Sequence, residues 1–146
     1  MKKFKKIALL VATAAMVLGA TASVFAASDG VSPNIRDLGY ADFYVYASSS
    51  FASAETATFT PLTNVFVTAE ADLTVTVNYI KLVDGEEVSR YYTDSDSDYM
   101  GVTDTSADAM ASYYINTAQV TSVIADSSHA ASIDGVDVSA TLSVVE

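Results

Sequence analysis

Apolar and polar residues alternate along three segments of the chain. The segments read "YADFYVYA" at 40–47, "LTVTVNYIKLV" at 73–83 and "VDVSATLSV" at 136–144. A period of two sends successive side chains to opposite faces of an extended strand, so one face of each segment is apolar and the other polar. The pattern therefore predicts half-buried strands of antiparallel sheets.

Two Asp-Gly pairs, at 84–85 and 134–135, follow or divide these apolar stretches. Asp-Gly tolerates the positive φ angles that tight hairpin turns require, so each pair predicts a β-hairpin. The loop of the first hairpin contains either two residues or four. Both lengths place the same side chains of its two strands on one face. Those predicted to face the core are Val77, Tyr79, Val88 and Tyr92, and those predicted to face away are Thr74, Thr76 and Ser89.

Four further segments have strand character, at 56–59, 64–69, 109–116 and 120–126. About seven short strands with Ser, Ala and Asp-rich links predict a single-domain antiparallel β-sandwich of immunoglobulin-like type over residues 37–146, preceded by a tail at 27–36. An alternative at 105–114 is a capping box followed by a short helix, although the Tyr-Tyr-Ile that ends this segment favours a strand.

The first 26 residues have the pattern of a secretory signal peptide. Four lysines precede an uncharged apolar run from Ile7 to Leu18, and small residues lead to Ala26. The run is shorter than the roughly 20 apolar residues that span a bilayer, so cleavage after Ala26 is favoured over a retained anchor. Secreted material is expected to begin at Ala27, which an intact-mass measurement checks, since a product that keeps residues 1–26 contradicts it.

Cleavage makes the remaining chain strongly acidic. It leaves three basic residues, Arg36, Lys81 and Arg90, against 18 acidic ones, a net charge of −15. Such a charge repels phosphate backbones and anionic lipids, so neither nucleic-acid binding nor membrane binding after cleavage is expected. It does not exclude cationic partners such as metal ions or basic peptides.

The chain contains no cysteine, which excludes thiol catalysis, thiolate zinc sites and lipid attachment at a processed cysteine. A lysine-led signal and cysteine-free export are typical of Gram-positive bacteria. The chain resembles in general appearance the small exported β-sandwich proteins of those organisms, a likeness of architecture that implies no site residues.

The stretch "TDSDSDYMG" at 93–101 is the candidate for a metal site. Asp94, Asp96 and Asp98 supply carboxylates at every second residue, as a calcium loop does. The sixth and twelfth positions of such a loop require glycine and glutamate, whereas Tyr99 and Thr105 occupy them here. The favoured interpretation is a mobile, solvent-facing loop without a tightly held metal, and no cofactor is expected.

Residue types suited to catalysis are present but poorly arranged. The single histidine, His129, follows Ser127 and Ser128, yet no Gly-x-Ser-x-Gly turn exists and neighbours on a strand point apart. A surface or strand-end histidine is the favoured interpretation. No glycine-rich phosphate loop is found, and the many acidic residues make any one pair uninformative. The sequence predicts a protein that is not an enzyme.

Tyrosines form the remaining candidate for a binding site. Tyr40, Tyr44 and Tyr46 share one strand face, opposite Phe43 and Val45. An outward row of tyrosines presents a large amphipathic area to a sugar or a protein, although cross-strand packing alone also accounts for it. The predicted function is binding of a protein or glycan at or outside the cell surface. The alternative is a structural subunit that assembles into homo-oligomers through its sheet edges, an assembly that calcium could stabilise.

Overall fold

The structure is a computed structural model that describes residues 26–100 and 105–146, so the predicted signal peptide lies almost wholly outside the described residues. The strands are β1 Ala26–Val31, β2 Asn34–Ile35, β3 Gly39–Ser48, β4 Phe51–Phe59, β5 Val67–Ile80, β6 Glu87–Met100, β7 Ser106–Tyr114, β8 Val120–Ile133 and β9 Val136–Val145. The predicted all-β class is confirmed, with nine strands in these ranges instead of about seven. The described elements include no helix long and apolar enough to cross a bilayer.

The strands form two antiparallel sheets packed face to face. Sheet A has the order β1-β3-β4-β7, with β2 also paired to β3, and sheet B has the order β6-β5-β8-β9. The inner faces of both sheets contribute to one hydrophobic core, so the architecture is a β-sandwich.

Alanine is the commonest residue of this core, and few large side chains fill it. The largest fully buried ones are Phe43, Ile35, Leu73 and Ile133. Small residues let the sheets approach closely but bury little apolar area each, so the stability of the sandwich depends on these few large side chains.

Both predicted hairpins are present. Asp134 and Gly135 have φ angles of 53° and 79° and join the paired residues Ile133 and Val136, which is the geometry of a two-residue turn. The first hairpin has a longer loop at 81–86, because β5 ends at Ile80.

The predicted shared face of the first hairpin is confirmed, whereas the pairing is shifted because the loop is longer than the two or four residues predicted. Tyr79 pairs with Val88, and Val75 pairs with Tyr92, so the predicted apolar set lies on the core side of sheet B. Thr76 and Ser89 lie on the opposite side.

Several strands have other bounds than the sequence predicts. Residues 27–31 and 34–35, assigned to a tail, pair with β3 at the edge of sheet A. Residues 64–66 are loop, since β5 begins at Val67. Residues 106–114 form strand β7, which decides against the alternative helix.

Truncation of Val77 is expected to lower the free energy of unfolding by on the order of 1–2 kcal/mol, because its side chain is fully buried and leaves a cavity. Thr76→Ala removes a half-exposed side chain next to it and is expected to change stability by less than about 0.5 kcal/mol. Urea unfolding of both variants checks the prediction. A larger loss from Thr76→Ala means that the strand is inverted.

Candidate binding face

The outer face of sheet A carries the predicted tyrosine row. Tyr40, Tyr44 and Tyr46 alternate with the buried Phe43 and Val45 along β3. The three tyrosines therefore share the face that points away from the core, as predicted.

The neighbouring strands extend this row into an aromatic surface. Tyr40 stacks on Phe59 with ring centroids 5.1 Å apart. At the other end of the sheet, Phe51 contacts Tyr114 at 4.9 Å and Tyr46 at 6.3 Å. Each of these rings lies opposite another in the antiparallel register or across the β3–β4 turn, so the cluster follows from the pairing of β3, β4 and β7.

Exposure differs along this surface. The Tyr114 side chain is 71% exposed and Tyr40 is 42% exposed, whereas Tyr46 is buried beneath its neighbours. Tyr46 therefore supports the surface and offers no area to a ligand. The most exposed rings are at the two ends of the face, and Tyr44 in the middle is half-buried.

Glu55 lies in the middle of the face, between the two aromatic ends. It pairs with Tyr44 on β3 and with Met110 on β7. Along β4 its neighbours on the same face are Ser53 and Ala57, both buried and small. The carboxylate is thus bounded by a ring and a thioether at its sides and by small residues along its strand.

The Glu55 carboxylate has a single weak hydrogen bond among the described contacts. The Ser53 hydroxyl donates to its Oε1 at 3.4 Å. Burial raises the pKa of Glu55 above its ordinary value, and the Ser53 hydrogen bond opposes this only in part. Within the described residues, the site therefore holds a carboxylate that lacks both full hydration and a cation.

Glu55, Phe51 and Phe59 were not singled out by the sequence. The segment 51–59 alternates Phe, Ser, Glu, Ala, Phe on one face with Ala and Thr on the other. Both faces of this strand mix small and polar residues, so the alternation of hydrophobicity that marks a half-buried strand is weak.

Comparison with protein-family models, curated proteins and solved structures finds no match to this chain. Function is therefore inferred from the geometry of the molecule.

The acidic run is a strand, and the predicted mobile loop is wrong. Asp94, Asp96 and Asp98 lie in the second half of β6 and pair with Leu73, Ala71 and Ala69 of β5. Like-charge repulsion does not prevent this pairing, because the register places each aspartate opposite an apolar residue.

These aspartates close one side of the sandwich. Their Oδ2 atoms accept hydrogen bonds from the backbone N–H groups of Ser112, Met110 and Asp108, at 2.9, 2.9 and 3.1 Å respectively. The donors belong to β7, the edge strand of sheet A, whose outward N–H groups have no partner strand. Alternate side chains on β6 and alternate N–H groups on β7 share a repeat of about 6.7 Å, so one row matches the other.

The same geometry does not converge on a metal ion. An extended strand spaces the three carboxylates along a line, whereas calcium requires six to eight oxygens around one point. The described ranges contain no group of three or more His, Asp or Glu residues arranged to hold a metal.

Asp96→Ala is expected to lower the free energy of unfolding by about 1 kcal/mol, because it removes a charge-assisted acceptor from an edge N–H that water partly satisfies. Replacing all three aspartates with alanine is expected to expose the β7 edge and to produce concentration-dependent association. Urea unfolding and sedimentation velocity measure the two effects. A triple variant that stays as stable and as monomeric as the parent chain contradicts the capping role.

His129 is buried in the core, so the predicted surface position is wrong. Its ring stacks on Phe43 with centroids 5.3 Å apart. Thr56 donates its hydroxyl proton to the Glu70 carbonyl at 2.7 Å, so it accepts from Nδ1–H of His129 at 2.8 Å. The Ser127 hydroxyl lies 2.8 Å from Nε2 and 3.3 Å from the Leu142 carbonyl, and beside the neutral ring it donates to the closer Nε2.

The His129 network does not form a catalytic triad. Ser127 and His129 are both buried, and the group on Nδ1 is the Thr56 hydroxyl where a triad has a carboxylate. Ser128 points to the other face of the sheet, as predicted, and donates to Asp72. Burial lowers the pKa of His129 to about 4, and the charge of Asp72 opposes this shift only weakly.

A shallow polar depression of about 330 Å³ lies on the outer face of sheet B. Its two carboxylates, Asp72 and Asp126, accept hydrogen bonds from Ser128 and Ser143 at 3.1 and 2.6 Å. Each carboxylate of the depression thus already accepts a hydrogen bond from a neighbouring serine of the same sheet.

Proposed function

We propose that this protein is an exported, non-catalytic β-sandwich that binds a protein or glycan through the outer face of sheet A. The observation that carries the proposal is the aromatic surface on β3, β4 and β7, with Tyr114 and Tyr40 exposed at its ends. Clustered aromatic rings that stay exposed to water are typical of interaction sites. Tyrosine supplies such contact area at low entropic cost.

The sandwich is proposed to be immunoglobulin-like, which the connection of β3 to β9 supports. The hairpin β3–β4 and the single strand β7 lie in sheet A, and the hairpins β5–β6 and β8–β9 lie in sheet B, with β4 paired to β7 and β5 paired to β8. This is a Greek-key arrangement of a three-stranded layer on a four-stranded layer, with β1 and β2 added at the edge of β3.

Export is supported by the lysine-led leader and by the acidic, cysteine-free remainder. Strand β1 begins at Ala26, so cleavage after this residue leaves the rest of β1 available to pair with β3. The proposed place of action is at or beyond the cell surface of a Gram-positive bacterium.

A panel of defined probes tests the proposed face. The panel contains capped tripeptides with basic, acidic or neutral central residues, together with neutral oligosaccharides of glucose and N-acetylglucosamine. Tyr114→Ala is expected to weaken binding of any probe that binds by at least tenfold. Tyr91→Ala is the matched control, because Tyr91 is 72% exposed on the outer face of sheet B and Tyr114 is 71% exposed on sheet A. Equal effects of the two variants, or no binding by any probe, contradict the proposal.

A second candidate function is assembly through a sheet edge. The aspartate row closes the β6–β7 side, whereas β9 is an edge strand with no Lys or Pro to block pairing. Val123 and Glu146 exchange both backbone hydrogen bonds across β8 and β9, so even-numbered residues of β9 point their N–H groups to β8. The N–H groups of odd-numbered residues such as Thr141 therefore face outward along this edge.

Sedimentation velocity over a range of concentrations, with calcium and with chelator, tests this assembly. Oligomers that form in the parent chain and disappear in Thr141→Pro support it, because proline removes one outward N–H and no ladder bond. A chain that stays monomeric at every concentration contradicts it.

A further inference from the structure

We propose that Glu55 and the rings around it form a site for a cationic side chain, a lysine or arginine of a basic peptide. This inference rests on the proposed function, since it names the ligand class of the outer face of sheet A. It goes further in assigning the central role to Glu55, a carboxylate.

The position of Glu55 favours an exchange of solvent for a ligand. The carboxylate stands between Tyr44 and Met110, and the buried Ser53 and Ala57 precede and follow it on the same face. Neighbouring side chains remove part of its hydration, and the Ser53 hydroxyl at 3.4 Å is its only described hydrogen-bond partner. An incoming ammonium or guanidinium group supplies the charge-assisted hydrogen bonds that this carboxylate lacks.

The charge of the face points in the same direction. The strands of sheet A contain no lysine, arginine or histidine. Asp42 and Asp108 lie on the same face as Glu55. Both pair with Ala57, the next residue of β4 on that face after Glu55. Three carboxylates on strands without a basic residue produce a negative potential that attracts a basic ligand and repels an acidic one.

The aromatic residues of the face suit the same ligand. A lysine or arginine side chain has an apolar stem and a charged end, and its charged group is attracted to the face of an aromatic ring within about 6 Å. Tyr44 lies directly across from Glu55 in the register, so one ligand reaches both the carboxylate and a ring. A neutral sugar uses the rings but gains no charge pairing from Glu55, so the cationic side chain is the better match.

Titration of ¹⁵N-labelled protein tests the inference with three capped tripeptides, whose central residue is lysine, arginine or norleucine. Norleucine has the apolar stem of lysine without the charge. The lysine and arginine peptides are expected to shift amide signals of β3, β4 and β7, and the norleucine peptide is expected to bind at least tenfold more weakly. Saturation with the lysine peptide is also expected to lower the pKa of the Glu55 side chain, read from its carboxyl ¹³C shift.

Two substitutions separate a specific site from general attraction to an acidic protein. Glu55→Gln keeps the shape of the side chain and is expected to weaken binding of the lysine peptide at least tenfold. Asp137→Asn removes the same charge from an exposed position on β9 and is expected to change the affinity less than twofold. Equal weakening by both variants overturns the inference. The norleucine comparison on the parent chain decides the matter even if Glu55→Gln does not fold.

The remaining outcomes distinguish this inference from the proposed function. If the N-acetylglucosamine tetrasaccharide binds the outer face of sheet A and the lysine and arginine peptides do not bind it, the cationic site is overturned and the proposed function stands. Probes that shift only signals of sheet B, or no signals, overturn both.

Discussion

Phe43→Ala is expected to lower the free energy of unfolding by about 3–5 kcal/mol, the largest effect expected of any truncation in this core. Phe43 is only 1% exposed, and it is the bulkiest fully buried side chain of a core built mainly from alanine. The small residues around it cannot move far enough to fill the space that its ring leaves. A loss of this size removes a large part of the roughly 5–15 kcal/mol that holds a typical domain folded.

The matched control for this prediction is Phe66→Ala. Phe66 precedes β5 and is 49% exposed, so its truncation is expected to cost less than about 1 kcal/mol. Urea unfolding at neutral pH compares the two variants with the parent chain. If Phe66→Ala is as damaging as Phe43→Ala, Phe43 does not occupy the centre of the core.

The parent chain is expected to lose about 2 kcal/mol of stability between about pH 7.5 and pH 5 through His129. Burial lowers the pKa of His129 to about 4 in the folded protein, whereas an unfolded histidine titrates near its ordinary pKa of 6.5. Below pH 6.5 the unfolded chain therefore binds a proton that the folded chain does not. Stability is fully present above this pH and falls as the pH decreases towards the folded-state pKa, by about 1.4 kcal/mol per pH unit.

His129→Gln isolates this contribution. Glutamine is neutral throughout the range and offers polar atoms to Thr56 and Ser127. Burial raises the pKa of Glu55, so Glu55 makes the free energy of unfolding change with pH in the opposite direction. This contribution is the same in the parent chain and in His129→Gln, so it cancels in the comparison. The free energy of unfolding at several pH values is expected to change about 2 kcal/mol less in His129→Gln than in the parent chain. Equal slopes contradict a buried neutral histidine.

The alternation of side chains predicted the features that depend on local pattern. Strands β3, β5 and β9, both Asp-Gly hairpins and the shared face of Tyr79 and Val88 all follow from a period of two and from turn chemistry. These features can be predicted without knowing which distant strands pair with each other.

The prediction for the acidic run was wrong because the structure of this segment depends on partners distant in sequence. The Ser-Asp alternation at 94–98 is itself a period of two, but without apolar residues it is also typical of a solvated loop. Only the pairing with β5 and the approach of β7 show what the aspartates do, as acceptors for edge N–H groups.

The positions of His129 and Glu55 escaped prediction for a related reason. A polar residue on the buried side of a strand breaks the pattern that identifies the strand, and the His129 partners Thr56 and Ser127 are separated from each other by the whole middle of the chain. The tyrosine row was visible in the sequence, whereas the carboxylate between the rings required the register of β3, β4 and β7.

Chemical-shift mapping of the tightest-binding probe of the panel on ¹⁵N-labelled parent chain tests the binding role of sheet A most directly. The largest shifts are expected on amides of β3, β4 and β7, around Glu55 and Tyr114, while the outer positions of β5, β8 and β9 stay unchanged. Largest shifts around the polar depression of sheet B, at Asp72 and Asp126, would contradict a binding face on sheet A.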